Sequence, residues 1–274
     1  MTLRLCQRPG ASCGACCGLY NAQDHGREAA APLLRRRTEL LRRTERTLPA
    51  FRAAAARLAA EGPAPLFHSV RVCPLLGYLD AAETRVGCLA HPLANGGVEL
   101  RAAGVYDVMT CEMFLCPSHA WLTEEEAALC EVACAPAPAG QIADWHLYGL
   151  VITDVPFLRA CLGAVAALTG ARVEARHLEQ RRFHEALARL LALKQELAPG
   201  SDGLFGAFKP GRDGGEVPRR IDYEALARNG SPYDTILTCA GADPRSGNDL
   251  DELEGEVRRR LEACARAFRL PGPG

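Results

Sequence analysis

The sequence lacks long apolar runs and any strong excess of charge. No window carries about 18 uninterrupted apolar residues, the length that a membrane-spanning helix needs, so we expect no membrane association. The 32 basic and 33 acidic residues leave a formal net charge of −1. A chain with this balance has no strong overall attraction for polyanions, so we do not expect nucleic acid as a partner.

The first residues, MTLRLCQRPGASCGACC, lack the continuous apolar segment of a secretory signal. We therefore expect a cytoplasmic protein. The chain also lacks a P-loop, a glycine-rich dinucleotide motif after a strand, and an H-E-x-x-H zinc-protease motif. Hydrophobic residues make up 48% of the chain and charged residues 24%, which are ordinary values for a globular protein.

Cysteine is the residue present in excess, with 13 copies in 274 residues. Ten of them precede residue 135, and only Cys161, Cys239 and Cys264 follow. A reducing cytosol does not sustain structural disulfides, so this clustering favours metal binding or redox chemistry. A secreted disulfide protein is the alternative, and both the odd count and the missing signal argue against it.

The densest cysteine motif is Cys13-Gly14-Ala15-Cys16-Cys17-Gly18. Two cysteines separated by two residues can direct both sulfurs at one metal across a tight turn, where free backbone N–H groups can donate to the thiolates. We expect the adjacent side chains of Cys16 and Cys17 to diverge, so that one metal would seldom use both. The second thiol would reach another metal or pack as a small hydrophobe.

Further cysteines are spread over residues 73–116, with long gaps that the fold must close. They are Cys73, Cys88, Cys111 and Cys116. His91 and His119 each follow a cysteine by three positions. This spacing is compatible with mixed Cys/His ligation, which would favour zinc. By contrast, Cys130 and Cys134 lie one helical turn apart beside apolar residues, and we expect them, like the three later cysteines, to pack in a core.

Four successive motifs, CGACCG, CPLL, GCL and CEMFLC, resemble the CxxCxxCC cysteine-cluster family of zinc- or iron-chelating proteins over roughly residues 10–120. The family implies a cytosolic protein of the kind often described as an iron–sulfur oxidoreductase. Gly10 stands where the family has its first cysteine, with Cys6 as a substitute if the chain loops back, and 22 residues separate Cys88 from Cys111. By position, the resemblance implies these metal ligands: Cys13, Cys16, Cys17, Cys73, Cys88, Cys111 and Cys116.

Seven thiolates exceed the four that one zinc ion or one cubane cluster takes, so either some are structural or the site is polynuclear. Thiolates are soft ligands that select zinc, copper(I) or iron–sulfur centres over magnesium or calcium. They do not separate zinc from iron. The predicted cofactor is therefore an iron–sulfur cluster or zinc.

These residues predict a cysteine-ligated metal-binding protein with a redox or metal-handling role. The alternative is a zinc-structured module that binds a protein or nucleic-acid partner through a helix rich in arginine. Residues 35–57 carry eight arginines, offset only by Glu39 and Glu45. An enzyme with an open metal position would also need a general acid or base, such as His91 or Glu112.

Apolar periodicity predicts a mainly α-helical fold with an irregular cysteine-rich metal-binding region and few short strands. We divide the chain into a cysteine-cluster region, residues 1–135, with an inserted helix at 27–60, and a helical region, residues 136–274. Whether the two share one core is left open.

Local signals mark individual elements. Pro49 should divide the first helix, and a short hairpin is expected around 97–107. Thr123 begins a capping box. The remaining predictions are helices at 124–134, from Asp154 and Pro156 onward, at 173–197 and at 249–268, an ambiguous segment at 141–152, and a loop at 199–220.

Overall fold

The computed structural model describes residues 4–197, 208–210 and 216–269. The chain is mainly α-helical, as the periodicity predicts. The α-helices are α1 (Arg27–Arg43), α2 (Leu48–Glu61), α3 (Val108–Met113), α4 (Ser118–Trp121), α5 (Glu124–Ala133), α6 (Trp145–Ile152), α7 (Val155–Thr169), α8 (Arg181–Leu191), α9 (Leu193–Leu197), α10 (Asp234–Ala240) and α11 (Gly247–Arg269). The described strands are β1 (Leu76–Tyr78), β2 (Val86–Cys88), β3 (Phe208–Pro210) and β4 (Glu216–Pro218).

The predicted division of the first helix is confirmed. The chain leaves the helical conformation at Thr44, and Pro49 lies in the first turn of α2, where its missing N–H leaves no helical hydrogen bond unmade. Leu41 on α1 and Phe51 on α2 are fully buried in the same apolar cluster. The two helices therefore form one apolar surface from two short segments.

Beneath α1 lies a hairpin that the sequence analysis placed wrongly. Residues 97–107, all of them described, contain a 3-10 turn at Arg101–Ala103 and no strand. The hairpin is instead β1 paired antiparallel with β2, in the register Leu76↔Cys88. Each strand has three residues, and β1 is buried at every position, so no alternation of apolar and polar residues is available to predict it.

Helices of the second half pack around α7, α8 and α11. Phe157, Phe183 and Leu261 are buried there, and the ring of Phe183 meets that of Phe268 edge-on with centroids 5.2 Å apart. The predicted capping box forms at α5, where Glu126 N–H donates to Thr123 Oγ1 at 3.1 Å. These helices owe their positions to apolar stripes of helical period.

The predicted helix at 173–197 is only partly confirmed. A 3-10 turn at Ala175–Glu179 precedes α8, and extended backbone at Gln180 separates the two. A second interruption at Ala192 divides α8 from α9. The break orients Lys194 inward, where the fully buried ammonium pairs with Asp154 and donates to Cys239 O at 2.5 Å. A buried ion pair of this kind is stable only with such additional hydrogen bonds.

The N-terminal segment packs against the helical half of the chain. Buried Leu5, Ala11 and Cys13 belong to the same apolar cluster as the residues of α7, α8 and α11. The hydroxyl of Tyr148 donates to Leu5 O at 2.7 Å, and Arg8 pairs with Glu124 of α5 at 2.7 Å. The boundary predicted at residue 135 stays a prediction.

Of the predicted loop at 199–220, residues 199–207 and 211–215 lie outside the described residues. The described parts are β3 and β4, which pair antiparallel. Within the described ranges no single helix has the length and apolarity to cross a membrane. Only α6 and α7 taken together do, and they are bent by 92° at their junction.

Candidate functional site

A cavity of about 950 Å³ lies beside the first 3-10 turns and the hairpin. All seven cysteines that the sequence analysis carried over as metal ligands line this cavity, and Cys6 lines it as well. They arrive from four separate parts of the chain: the N-terminal turns, the approach to β1, the end of β2, and the α3–α4 segment. The fold thus closes the long sequence gaps between them.

The motif at residues 13–18 forms a 3-10 turn, Ala15–Cys17, that ends at Gly18 with φ +78°. A side chain at Gly18 would meet Arg71 O, since an added Cβ would lie 2.5 Å from that atom. The close approach lets Cys73 N–H donate to Cys17 O at 2.9 Å. Glycine at this position therefore brings the second cysteine group against the first.

The adjacent thiols of Cys16 and Cys17 influence each other, which lowers the pKa of Cys16 to about 7 and raises the pKa of Cys17. The expected divergence of their side chains stays a prediction. Cys16 is exposed and Cys17 half-buried. Both side chains line the cavity, so both are available to a bound group.

Burial is the largest influence on several other thiols of the cavity. It raises the pKa of Cys6 to about 11 and that of Cys88 to about 12, and it also raises the pKa values of Cys13 and Cys111. These thiols are therefore neutral at pH 7 without a cation beside them. Since thiolates are the metal-binding form, loading the cavity with a metal must release protons.

Backbone N–H groups reduce the cost of forming these buried thiolates. Ala15 N–H donates to Cys13 Sγ at 3.4 Å, which is the kind of donation that the turn-rich motif predicts. The N–H of Ala90 likewise opposes the rise in the pKa of Cys88. Donation of this kind stabilises a thiolate once it has formed.

The thiols surround the cavity without meeting at one point. Across residues 4–197, 208–210 and 216–269, no three His, Cys, Asp or Glu side chains are grouped so that they could hold a metal ion. Four thiolates on one zinc ion, with bonds of about 2.3 Å, would have sulfurs roughly 3.8 Å apart. In a cubane iron–sulfur cluster each of the four cysteines binds a different iron, so the sulfurs stand further apart than around one zinc ion.

The two histidines considered as ligands differ. His91 lines the cavity, and its Nδ1 accepts from Leu93 N–H at 3.2 Å. His119 does not line it, and its Nε2 accepts from Leu5 N–H at 3.0 Å. His119 thus serves to hold the N-terminal segment. Glu112, the other candidate acid or base, does line the cavity.

Arg37 of α1 is a buried cation that our sequence analysis did not single out. Its exposed fraction is 1%, and neither Nε nor one Nη nitrogen has a hydrogen-bond partner among the described residues. Burial lowers the pKa of Arg37, and the thiols of Cys73 and Cys17 oppose that shift. The sequence carried a signal for it, because Arg37 falls on the apolar stripe between Leu34 and Leu41, at helical spacing.

Exposed apolar side chains rim the outer side of the cavity. Leu93 is 92% exposed, and Phe114 and Trp121 are also exposed while lining the cavity. Met109 and Met113 extend this apolar surface along α3. The mouth is thus apolar, while the thiols lie along the walls.

Half of the eight arginines at residues 35–57 are ion-paired or buried within the protein. Arg35 pairs with Glu83 at 2.7 Å, and Arg36 and Arg57 both pair with Glu61. Arg37 is buried, whereas the other four are exposed, namely Arg42, Arg43, Arg46 and Arg52.

The remaining cysteines pack as the sequence analysis predicts. Cys130 and Cys134 are buried with their sulfurs 4.0 Å apart. Cys161, Cys239 and Cys264 are buried among the helices of the second half. Each fills apolar space as a small hydrophobe.

The fold and the cavity together define a mainly α-helical protein with a thiol-lined pocket. Comparison of the chain with known protein-family models, with curated proteins and with solved structures finds no match. The resemblance to the cysteine-cluster family therefore stays a prediction.

Proposed function

We propose that this protein binds a metal centre, an iron–sulfur cluster or zinc, through cysteine thiolates of the cavity, and that it serves a redox or metal-handling role. The observation that carries the proposal is that all the cysteines implied as ligands by the resemblance to the cysteine-cluster family line one cavity. They are Cys13, Cys16, Cys17, Cys73, Cys88, Cys111 and Cys116. Thiols with only a packing role would be spread through the core, as the five cysteines from Cys130 onward are.

The charge of Arg37 supports an anionic group at this site. A buried cation without a partner is costly, by several kcal/mol per ion. A thiolate-ligated centre on Cys17 and Cys73 would supply the missing negative charge, since those thiols are the ones that act on the Arg37 guanidinium. The donor set and the orphaned cation therefore fit the same kind of group.

Held there, an iron–sulfur centre would supply one-electron transfer, and zinc would supply a rigid cross-link or a Lewis acid. The protein's own residues bind the group through the thiols, donate backbone N–H groups to Cys13 and Cys88, and restrict water through the apolar mouth.

The alternative, a zinc-structured module that uses its arginine-rich helix, receives less support. Arg35, Arg36 and Arg57 are engaged by Glu83 and Glu61, which reduces the basic surface that the helix offers to nucleic acid. A protein partner would more readily meet the apolar rim. The proposed metal-binding role and the zinc-module alternative both depend on the same thiols.

The decisive experiment is purification without oxygen, followed by counting iron, zinc and sulfide per chain. We expect stoichiometric metal, and, for an iron–sulfur centre, brown colour with broad absorption near about 400 nm. A Cys88→Ser, Cys111→Ser double variant should lose metal, while the Cys161→Ala control, which alters a buried cysteine of α7, should keep it. Protein that holds no metal after anaerobic purification and after supply of zinc(II), or of iron(II) with sulfide, would overturn the proposal.

A further inference from the structure

The cavity is much larger than a metal centre requires. Its volume is about 950 Å³, near the upper end of the range of about 300–1,000 Å³ that is usual for sites holding a whole small molecule. A zinc ion with sulfur ligands at about 2.3 Å occupies only roughly 50 Å³ out to those sulfurs. A cubane cluster consists of only four irons and four sulfides. Either centre would therefore leave room in the cavity for a second occupant.

Apolar side chains line the cavity both on its buried side and at its mouth. Leu75 and Leu76 are buried, whereas Leu93, Phe114 and Trp121 are exposed, and all five belong to the lining. Groups of exposed apolar side chains in a protein commonly mark a binding site. The lining therefore favours an apolar ligand, which would contact the exposed rings at one end and the buried leucines at the other.

The acidic and basic side chains of the lining are already engaged within the protein. Arg101 pairs with Glu112 at 3.7 Å, and Asp154 pairs with buried Lys194. Arg4 donates to two main-chain carbonyl oxygens of α3. Transfer of a charged ligand out of water is costly unless the site supplies a counter-charge. The lining therefore favours an uncharged ligand.

His91 gives the cavity a hydrogen-bond donor. Its Nδ1 accepts from Leu93 N–H at 3.2 Å, so the proton of the neutral ring lies on Nε2. Among the residues that the structure describes, none accepts a hydrogen bond from this Nε2–H. A carbonyl oxygen is an uncharged group that can accept it.

We infer that the cavity binds a neutral apolar organic molecule with a carbonyl group, whose oxygen accepts from His91 Nε2–H and whose apolar body lies against Phe114 and Trp121. This role goes beyond the proposed function and does not depend on it, because none of the residues that carry it is among the seven proposed thiolate ligands. A metal centre on the thiols and an apolar molecule at the mouth could be bound together.

The test uses an acylated dimethylaminonaphthalene, a neutral aryl ketone whose fluorescence shifts to the blue in apolar surroundings. Metal-free protein should bind one molecule per chain. In Phe114→Ala and in Trp121→Ala the Kd should rise about tenfold, because each ring covers apolar surface of the ligand. Ile142→Ala is the matched control, since this side chain is also exposed but lies outside the lining, and its Kd should equal that of the wild type.

His91→Phe tests the hydrogen bond, since it keeps a ring and removes the donor. The parent dimethylaminonaphthalene, which has no carbonyl, is the matched ligand. We expect the preference of the protein for the ketone over this parent to fall about fivefold in His91→Phe, as for loss of one hydrogen bond. An unchanged preference would contradict the assignment of His91. Circular dichroism confirms that each variant is folded.

Three results would overturn the inferred ligand site. The first is no binding of the ketone to folded wild type, and the second is binding that Phe114→Ala and Trp121→Ala leave unchanged. The third is a dimer in light scattering that excludes the ketone and that Phe114→Ala dissociates, which would show that a second copy of the chain covers the mouth. Tighter binding of a sulfonated naphthylamine than of the ketone would contradict an uncharged ligand. None of these results bears on the proposed function, which metal counting decides separately.

Discussion

The cysteines in the two halves of this chain lie in different environments. Cys73 and Cys88 lie in short strands and turns and line a cavity, whereas Cys161 and Cys264 lie within helices and are buried in an apolar cluster. In the helical half, apolar stripes on α7, α8 and α11 hold the structure together. Around the cavity, regular structure is limited to three-residue strands and short helices. Burial of apolar surface therefore accounts for the structure of the helical half. The region around the cavity has few such contacts to hold it in place.

Removing the metal should affect the two halves of the chain most differently. We expect chelation of the loaded protein to speed amide hydrogen exchange strongly at β1, β2 and α3, and to leave α7, α8 and α11 protected. Structural thiolate zinc contributes about 10–16 kcal/mol to small domains, so a large effect is expected. Hydrogen exchange with mass spectrometry measures it. If protection against hydrogen exchange fell equally in both halves, or in neither, the expected difference between the two halves would be wrong.

The converse change weakens the helical half alone. Phe183→Ala removes a fully buried ring between α8 and α11. The free energy of unfolding should fall by about 3–5 kcal/mol, as expected for loss of a buried phenylalanine. Metal per chain in the folded fraction should not change. Urea denaturation and elemental analysis test the two statements.

Phe114→Ala is the matched control, since this phenylalanine is 49% exposed on the cavity rim. Its unfolding free energy should change by no more than about 0.5 kcal/mol. If Phe183→Ala emptied the folded protein of metal, the two halves would be energetically inseparable and the comparison would fail.

The same contrast explains which features were predictable from the sequence. Thr123 and Asp154 start helices through local hydrogen bonds, and α11 repeats apolar residues at helical spacing, so residues near one another in the chain decide these elements. The break at Ala192 was missed, because it serves a contact far away in sequence, that of Lys194 with Asp154. Long-range contacts leave little local trace.

Around the cavity the sequence identified the residues but not their arrangement. The resemblance to the cysteine-cluster family implied seven thiols as ligands, and all seven line one cavity. The hairpin was misplaced, since Leu76–Tyr78 is buried at every position and shows no alternation. Arg37 was hidden in an arginine run that looked solvated as a whole, although its position on the apolar stripe distinguishes it. Composition describes a segment, whereas burial is decided residue by residue.

We expect low pH to weaken the contact that His146 makes between the two halves of the chain. This imidazole is buried; its Nε2–H donates to His25 O at 2.8 Å, and its Nδ1 accepts from Gln195 at 3.0 Å. Burial lowers the pKa of His146 from 6.5 to about 4. The folded protein therefore favours the neutral ring, so this contribution is complete above about pH 6.5 and is lost as the pH falls toward 4.

The size of that loss is roughly 3 kcal/mol, from the difference between the two pKa values. A His146→Gln variant removes the titrating group while keeping an amide that can donate. Urea denaturation at pH 7 and at pH 4.5 should show a smaller loss of stability in the variant, by about 2–3 kcal/mol. Equal losses in both proteins would show that His146 does not titrate in the folded state as its burial requires.

The smallest expected effect separates the counter-charge role of Arg37 from a packing role. Without metal, Arg37→Met removes an unpaired buried cation and keeps much of its volume, so the stripped variant should be at least as stable as the stripped wild type. With zinc(II) bound, the variant should lose metal to a chelator about tenfold faster, which corresponds to roughly 1.4 kcal/mol of lost attraction to the thiolates. Arg37→Lys, which keeps the charge, should retain metal more nearly as the wild type does.

The opposite signs of the two effects are what make this variant informative. A residue that only fills space on α1 would destabilise the stripped and the loaded protein alike when it is replaced. A counter-charge is unfavourable in the stripped protein and favourable in the loaded one, because cysteines bind a metal as anionic thiolates. Urea midpoints for the stripped forms and chelation rates for the loaded forms therefore decide whether α1 acts as part of the cavity wall or only as part of the core.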